Sequence, residues 1–233
     1  TGSGSGAGVT SSIDGTADLG LASRALKSEE EEKGAQANIV ALDGVAVVVN
    51  PDNAVDDLTV DQIIAVCREG AEVVLSDESR EKILASRQVV NELVEERKVV
   101  YGITTGFGKF SDVVISQDEC KLLQKNLIIT HAVGAGDPFK EDIARGILLL
   151  RVNSLSNGFS GICLETVETM IAMLNKGVTP FIPEKGSLGA SGDLAPLSHM
   201  VLPMIGLGMA WYKGELLPGA EAMAVSYTHL TLP

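Results

Sequence analysis

Apolar side chains recur with helical spacing along most of the chain after Leu58. Over residues 76–98, for example, Ile83 and Val94 share one face of a predicted helix that begins at residue 76 or 77. Glycine-rich stretches separate such segments, and the one at residues 101–108 is expected to be a loop. The pattern therefore predicts a mainly α chain with irregular loops between the helices and little β structure.

Local capping signals indicate where these helices begin and end. Thr59 and Ser116 each stand three residues before a Gln or Glu, which is the spacing of a capping box. Asp137 followed by Pro138 is typical of an N-cap with proline in the first turn. Gly177 should end a later helix, because glycine readily adopts the left-handed conformation found just after helices. The expected helices cover residues 59–70, 76–98, 116–131, 137–156, 161–176 and 193–206.

The beginning of the chain differs in composition from the rest. Residues 1–57 hold ten acidic and three basic side chains, and they open with a Gly-Ser repeat typical of flexible linkers. We expect residues 1–37 to be disordered, or to be a linker or upstream segment. Residues 39–49 could form one strand, which Pro51 would stop.

Composition narrows the class of protein. The chain has 233 residues, of which 45% are hydrophobic, so it can bury a sizeable core in one large or two small domains. Its net charge of −13 disfavours nucleic acid and anionic membranes as partners. It shows neither a membrane span nor a signal peptide, so we expect a cytoplasmic protein. The three cysteines and three histidines lack metal-ligand spacing, which predicts reduced core thiols and no metal site.

The most specific chemistry in the chain lies at Ala190, Ser191 and Gly192. In a tight turn, the amide nitrogen of Gly192 can attack the carbonyl of Ala190. Loss of two waters then leaves a methylidene-imidazolone ring, an electrophile whose methylidene carbon comes from Ser191. Gly192 suits this reaction because it has no Cβ to shield its nitrogen and it tolerates strained backbone angles. The same tripeptide also fits an ordinary glycine-rich connection before a helix, with Asp193 as the N-cap.

Three ordered blocks contain or precede this tripeptide: VVYGITTGFGKF at residues 99–110, LLLRVNSLSNGFSG at 148–161 and PFIPEKGSLGASGDLAPLSHM at 180–200. Together they resemble the signature segments of the aromatic amino-acid ammonia-lyases, which include histidine, phenylalanine and tyrosine ammonia-lyases and related aminomutases. The resemblance runs from about residue 58 to residue 223, within a family domain expected over residues 38–223. It implies the N-terminal part of the helical ammonia-lyase fold. It also implies a methylidene-imidazolone cofactor formed from residues 190–192, without metal or nucleotide.

The resemblance assigns further site residues. Tyr101 matches the family's candidate for the general base, and a phenol needs nearby positive potential or hydrogen bonds to act as one near neutral pH. Gly108 and Asn153 match positions at the substrate. Thr130 and His131 match the adjacent pair that faces the substrate ring, and they are closest to the Ser-His pair of histidine enzymes. The implied reaction is that of a carbon–nitrogen lyase, elimination of ammonia from L-histidine to give trans-urocanate.

Other hypotheses remain. Residues 103–106 read Ile-Thr-Thr-Gly, where histidine enzymes usually read Ile-Asn-Thr-Gly; phenylalanine and tyrosine enzymes share this departure, so one of these or an aminomutase is the alternative. Family members are longer and form homotetramers, and they use later Asn, Gln, Tyr and Arg residues. We therefore expect the chain to be inactive alone, and a non-catalytic helical fragment is a further hypothesis. Residues 224–233 are expected to be a foreign tail. His199 is expected to be a core histidine bonded to backbone.

Overall fold

The computed structural model describes residues 4–17, 26–37, 58–111, 113–188 and 192–228. Contacts divide the chain into two units, Thr1–Val48 and Val49–Pro233. In the first unit, helix α1 spans Gly4–Ile13 and helix α2 spans Ser28–Glu32. Both helices fall within residues 1–37, whose assignment as a linker or upstream segment stays a prediction. The strand expected at 39–49 lies outside the described residues.

The described part of the second unit is mainly α, which confirms the fold class. The capping boxes at Thr59 and Ser116 are confirmed: each hydroxyl accepts an N–H of the first turn, and the Gln or Glu side chain accepts the N–H of the cap residue. Gly177, at φ +73°, ends its helix as predicted. The helices are α3 (Val60–Arg68), α4 (Asp77–Glu95), α5 (Gln117–His131), α6 (Glu141–Ser156), α7 (Leu164–Lys176), α8 (Leu194–Val201) and α9 (Gly219–Val225).

Two small antiparallel sheets accompany the helices. Their strands are β1 (Ala135–Pro138), β2 (Thr179–Pro180), β3 (Pro183–Lys185), β4 (Met209–Tyr212) and β5 (Glu215–Pro218). β1 pairs with β3, and β4 lies between β2 and β5. Lys213 and Gly214 both take positive φ at the turn between β4 and β5, which is typical of a tight hairpin turn.

The prediction that Asp137 and Pro138 begin a helix is wrong. Both residues lie in β1, which pairs with β3, and the next N–H, that of Phe139, donates to the carbonyl of Ile182 at 2.9 Å. Helix α6 starts only at Glu141. An N-cap signal is a local preference worth about 1 kcal/mol, and pairing with a distant strand overrides it.

The last predicted helix is also shorter than expected. α8 ends at Val201, and a 3-10 segment, Leu202–Ile205, follows it before Gly206 turns the chain at φ +75°. Pro203 explains the change, because it has no N–H to continue the α-helical hydrogen bonds.

The core of this unit is centred on α6 and α7. Leu148, Val167 and Met173 are completely buried, and they belong to a cluster that includes residues of α3, α4, α8, α9 and β4. Burial of such large apolar side chains is the main stabilising contribution to a helical domain of this kind. The three cysteines, predicted to be reduced core thiols, are free, but they are only half-buried.

Arg145, on α6, joins the ends of two other helices. Its guanidinium donates to the carbonyl oxygens of Val66 and Cys67 in the last turn of α3, at 2.8 and 3.2 Å. It also donates to the carbonyl of Leu174 in α7 at 3.1 Å. Carbonyls in the last turn of a helix lack intrahelical partners and carry partial negative charge, so a cation is favoured there. Arg145 therefore holds α3 and α7 against α6.

Candidate active site

Tyr101 lies in the glycine-rich loop between α4 and α5, and 60% of its surface is exposed. Its ring meets the ring of Phe107 edge-on, with the centroids 5.7 Å apart and the planes at 78°. Its hydroxyl oxygen accepts the backbone N–H of Gly108 at 3.3 Å. The loop therefore folds back on itself, and it holds the phenolic oxygen where a small molecule can reach it.

Two buried threonines maintain the shape of this loop. The hydroxyl of Thr104 accepts the N–H of Val100 at 2.9 Å and donates to the carbonyl of Lys98. The hydroxyl of Thr105 accepts the N–H of Gly102 at 3.3 Å and donates to the following carbonyl at 3.0 Å. Thr104 is the position at which the loop departs from the pattern of histidine enzymes, and its side chain is engaged inside the loop.

Thr130 and His131 form the last turn of α5. The Oγ1 of Thr130 donates to the carbonyl of Leu127 at 3.1 Å, and Nδ1 of His131 lies 2.8 Å from the same oxygen. Because a carbonyl can only accept, a hydrogen bond here requires the proton on Nδ1. Oγ1 of Thr130 also lies 3.3 Å from Nδ1. In this tautomer of the half-buried His131, Nε2 carries no proton.

The loop that is expected to form the electrophile is described up to Leu188 and again from Gly192. Ala190 and Ser191 thus lie outside the described residues. Gly192 takes φ +85°, and a Cβ added to it would meet no described atom within 4 Å. Gly192 therefore adopts a backbone conformation that residues with side chains rarely take, and the described residues leave open space where a side chain would stand.

Asp193 stands at the N-cap position of α8, but the predicted capping by its side chain is wrong. It adopts a left-handed φ of +58°, and no hydrogen bond joins its carboxylate to the described N–H groups of the first turn. Instead, the carboxylate accepts the hydroxyl of Ser187. The carboxylate therefore joins the described ends of the loop, and the consecutive positive φ angles of Gly192 and Asp193 turn the chain into α8.

Gly134 brings the end of α5 and the electrophile loop together. Its N–H donates to Nε2 of His199, on α8, at 2.9 Å. This contact confirms the prediction that His199 bonds to backbone, although the side chain is half-buried rather than fully in the core. A Cβ on Gly134 would lie 3.0 Å from Nε2 of His199 and from Pro183, and one on Gly186 would lie 3.0 Å from the Cα of Gly134. Only glycine fits at this junction without displacement of its neighbours.

The glycine-rich loop that carries Tyr101 and helix α5 together form an open apolar pocket of about 370 Å³. Gly106, Phe107 and Phe110 line it from the loop, and Leu123 and Leu127 line it from α5. Phe107 packs against the ring of Tyr101, the candidate base. Leu127 supplies the carbonyl oxygen that Thr130 and His131 both contact. The pocket therefore connects the two parts of the site that lie before α6.

Asn153, another predicted site residue, lies on α6. This helix packs mainly against α3, α4, α7 and β2, and the carbonyl oxygen of Asn153 accepts the side-chain amide of Asn157 at 3.2 Å. Arg151, also on α6, forms no ion pair with a carboxylate of the described residues. Burial lowers the pKa of Arg151. The role of Asn153 at the substrate stays a prediction, as does that of Gly108.

Sequence reasoning missed the importance of Gly134. The only signal was the pair of glycines at 134 and 136 after the recognition pair, which fits many loops. Within the described ranges, no group of three or more acidic, cysteine or histidine side chains could hold a metal ion. None of the described helices combines the length and apolar character that crossing a membrane requires.

The described site combines three features on a mainly helical unit: the loop that carries Tyr101, the Thr130–His131 pair, and a glycine-rich loop before α8. These features define a candidate lyase site. A family model described as aromatic amino acid lyase matches residues 58–231. The chain therefore belongs to the aromatic amino acid lyase family. The match extends past Met223, so it includes most of the segment that we expected to be a foreign tail.

The chain is similar to proteins named histidine ammonia-lyase. It is 59% identical to the one from Caldanaerobacter subterraneus subsp. tengcongensis over 177 residues, which is 76% of this chain and 34% of that protein. The crystal structure of histidine ammonia-lyase from Trypanosoma cruzi is 37% identical, with a TM-score of 0.69 over 74% of this chain and 34% of that one. The chain thus spans about a third of the length of the relatives it matches.

Similarity extends to an aminomutase. The structure of Pantoea agglomerans phenylalanine aminomutase is 32% identical, with a TM-score of 0.71 over 76% of this chain and 34% of that one. A second family model, described as a PBP superfamily domain, matches residues 1–84 and overlaps the lyase match over residues 58–84. This second match covers less than half of the chain, so it does not define the family.

Proposed function

We propose that the protein is a histidine ammonia-lyase, which eliminates ammonia from L-histidine to give trans-urocanate. The observation that carries this proposal is the junction at Gly134, which joins the turn after His131 to the helix that follows the Ala190-Ser191-Gly192 tripeptide. A recognition imidazole and a potential electrophile are thereby held on neighbouring elements. The similarity to proteins named histidine ammonia-lyase supports the choice of substrate.

Residues 190–192 fit a methylidene-imidazolone. Gly192 has a positive φ and open space where a Cβ would stand, which suits a strained turn, and Gly186 lets the loop begin against the backbone of Gly134. The carboxylate of Asp193 and the hydroxyl of Ser187 tie the loop together. When formed, the ring supplies an electrophile to which the substrate can bond. The N-terminus of α8, directly after the loop, favours negative charge there.

Tyr101 acts as the base that removes a proton from Cβ of the substrate. The phenolic oxygen is exposed, and the Gly108 N–H and the Phe107 ring hold it in position. Because the loop is glycine-rich and is held by the side chains of Thr104 and Thr105, it can close over the substrate as a unit. Gly108 contributes through its amide, which contacts the phenolic oxygen.

His131 recognises the imidazole of the substrate. Its Nδ1 is committed to the carbonyl of Leu127, so Nε2 can accept the N–H of a neutral substrate imidazole. An acceptor placed to meet the substrate N–H discriminates against a ring that lacks this donor. Asn153 is proposed to orient the substrate, as the family resemblance implies.

A phenylalanine or tyrosine ammonia-lyase, or an aminomutase, is the second candidate. It is favoured by the Thr at position 104 and by the structural similarity to a phenylalanine aminomutase. Thr104 is weak support, however, because it is 6% exposed and its hydroxyl bonds to Lys98 and Val100. A residue that faces the interior of the loop contributes little to ring recognition.

Further properties follow from the same proposal. Because the chain spans about a third of its relatives' length, we propose that residues 1–233 alone lack part of the active site. The enzyme is proposed to be a cytoplasmic homotetramer that acts on a small amino acid and uses neither a metal nor a nucleotide.

The test combines intact mass with product analysis. The purified protein should be lighter than its sequence by the mass of two waters, and Ser191→Ala should abolish that deficit. The full-length protein that carries this sequence should form urocanate from histidine faster than cinnamate from phenylalanine or coumarate from tyrosine. An unmodified mass without release of ammonia would contradict the proposal and favour a non-catalytic helical fragment. Cinnamate or coumarate as the main product would favour the second candidate.

A further inference from the structure

His199 connects α8 to the turn after α5. The proposed reaction requires a fixed position of these two elements relative to each other. It lies on α8, and its Nε2 accepts the N–H of Gly134 at 2.9 Å. Gly134 follows α5 closely, in the turn after His131, whereas α8 directly follows the electrophile loop. α5 and α8 also pack against each other. One side chain therefore connects the recognition end of α5 to the helix beyond the tripeptide.

The hydrogen bond defines the state of the imidazole. A backbone N–H can only donate, so Nε2 of His199 must be unprotonated and the neutral ring must carry its proton on Nδ1. Burial also lowers the pKa of His199, which favours the neutral form. The chemical requirement at this position is thus a hydrogen-bond acceptor at the place of Nε2.

The space around Gly134 leaves little freedom for an alternative contact. A Cβ on Gly134 would lie 3.0 Å from the His199 ring and from Pro183, at the start of β3. On another side, the backbone of Gly134 closely approaches Gly186, where the electrophile loop begins. A shift of the turn relative to α8 would therefore change the position of the loop as well.

We propose that His199 is a positioning residue, which sets the placement of His131 relative to the electrophile loop through its contact with Gly134. This inference rests on the proposed function for the roles of His131 and residues 190–192. His199 does not touch the substrate. It acts on the backbone that carries the recognition residue, and it needs to be an acceptor rather than an acid or a base.

Two amide substitutions separate this role from a general packing role. His199→Gln places an acceptor oxygen near the position of Nε2, whereas His199→Asn places its acceptor near the position of Nδ1, out of reach of Gly134. In ¹⁵N-labelled protein, Nε2 of wild-type His199 should be unprotonated. Exchange of the Gly134 amide should be about ten-fold or more faster in His199→Asn than in wild type, and close to wild type in His199→Gln. The ring signals of His131 should shift only in His199→Asn.

These measurements can overturn the inference without any activity assay. A protonated Nε2 in the wild-type protein would do so even if a variant failed to fold. Equal protection of Gly134 in His199→Asn and wild type, or unchanged His131 signals when that protection is lost, would also contradict it.

Activity of the full-length protein provides a second and separable readout. The kcat/KM for histidine should fall by about 10- to 100-fold in His199→Asn and recover to within a few-fold of wild type in His199→Gln. The two-water mass deficit reports separately on formation of the ring. If wild-type protein shows no deficit and forms no urocanate, the proposed function fails, whereas the amide and ring signals still report on the connection through His199. If the two variants are equally impaired, the positioning role fails and the proposed function stands.

Discussion

Nδ1 of His131 lies 2.8 Å from the carbonyl oxygen of Leu127, one turn earlier on the same helix. This contact determines which ring nitrogen is available to a ligand, because a carbonyl accepts only from a protonated nitrogen. The available Nε2 is an acceptor while the imidazole is neutral and a donor when it is protonated. The recognition that we propose for His131 therefore depends on a backbone carbonyl within its own helix.

Substitution of His131 should affect recognition of the substrate more than stability. In the full-length protein, His131→Leu should lower kcat/KM for histidine by about 100-fold, because the imidazole N–H of the substrate loses its acceptor. Thr130→Val is the matched control: Oγ1 of Thr130 bonds to the carbonyl of Leu127, so its loss should cost less than about ten-fold. The measurement is the rate of urocanate formation against histidine concentration. Equal losses in both variants would contradict the assigned role of His131.

Tyr101→Phe should separate proton removal from formation of the electrophile. The substitution removes the hydroxyl but keeps the ring that packs edge-on against Phe107. We expect the two-water mass deficit to be retained and kcat to fall by about 10²- to 10⁴-fold, the usual contribution of a general base. Intact mass and ammonia release measure the two effects. Phe107→Leu, which retains the hydroxyl and removes the ring contact, should lose less activity, and full activity in Tyr101→Phe would exclude the phenol as the base.

His199 should make stability depend on pH in the weakly acidic range. Burial lowers its pKa in the folded protein, so the unfolded chain binds a proton more readily as the pH falls below about 6.5. The free energy of unfolding should therefore be fully retained above this pH and should decrease below it, until the folded form also binds the proton. His199→Gln should remove this part of the pH dependence. Urea unfolding at several pH values measures it, and identical pH profiles for the two proteins would refute the expectation.

Two glycine-to-alanine substitutions should have opposite effects on stability. Gly134→Ala should destabilise the protein by about 1 to 3 kcal/mol, because its Cβ would lie 3.0 Å from His199 and Pro183. Gly146 lies within α6, and a Cβ there would meet only Cys67 Sγ, at 3.7 Å. Gly146→Ala should therefore stabilise the protein by about 0.5 to 1 kcal/mol through helix propensity. Chemical denaturation measures the free energy of unfolding of both variants. A Gly134→Ala variant that is more stable than Gly146→Ala would contradict the prediction.

Arg145→Met should destabilise the packing of α3 and α7 on α6. The methionine fills much of the same space but leaves the carbonyls of Val66, Cys67 and Leu174 without their charged donor. We expect a loss of about 2 to 3 kcal/mol in the free energy of unfolding. Arg68→Met is the control, because the ion pair of Arg68 with Asp142 involves a mostly exposed guanidinium and should contribute less than about 1 kcal/mol. Similar losses in both variants would contradict a special role for Arg145.

Local signals were sufficient for the helix boundaries that depend on neighbouring residues. The capping boxes at Thr59 and Ser116 and the left-handed Gly177 all act within a few residues of the helix end. Asp137 failed as a helix signal because its surroundings are set by β3, far away in the sequence. The same limit applies to Asp193, whose carboxylate bonds to Ser187 across the loop rather than to its own helix.

In the candidate site, too, features with a local sequence signal could be predicted and contacts between distant segments could not. Motifs could suggest Tyr101, the Thr130–His131 pair and the tripeptide at residues 190–192, because each has a characteristic local sequence, and their roles stay predictions. The junction at Gly134 could not be predicted, because it depends on close approaches to Pro183, Gly186 and His199. Hydrogen bonds between distant segments leave no periodic trace in a sequence.

The close approach of Gly186 to Gly134 has a consequence for how such an enzyme could acquire a new substrate. A substitution that reshapes the end of α5 also presses on Gly186, the first residue of the loop that is proposed to cyclise. Under the proposed function, substrate selectivity and ring formation are therefore subject to the same steric constraint. Variants chosen for a different aromatic amino acid should first be sorted by whether they still mature, since an inactive variant can have a suitable pocket and an unfinished electrophile.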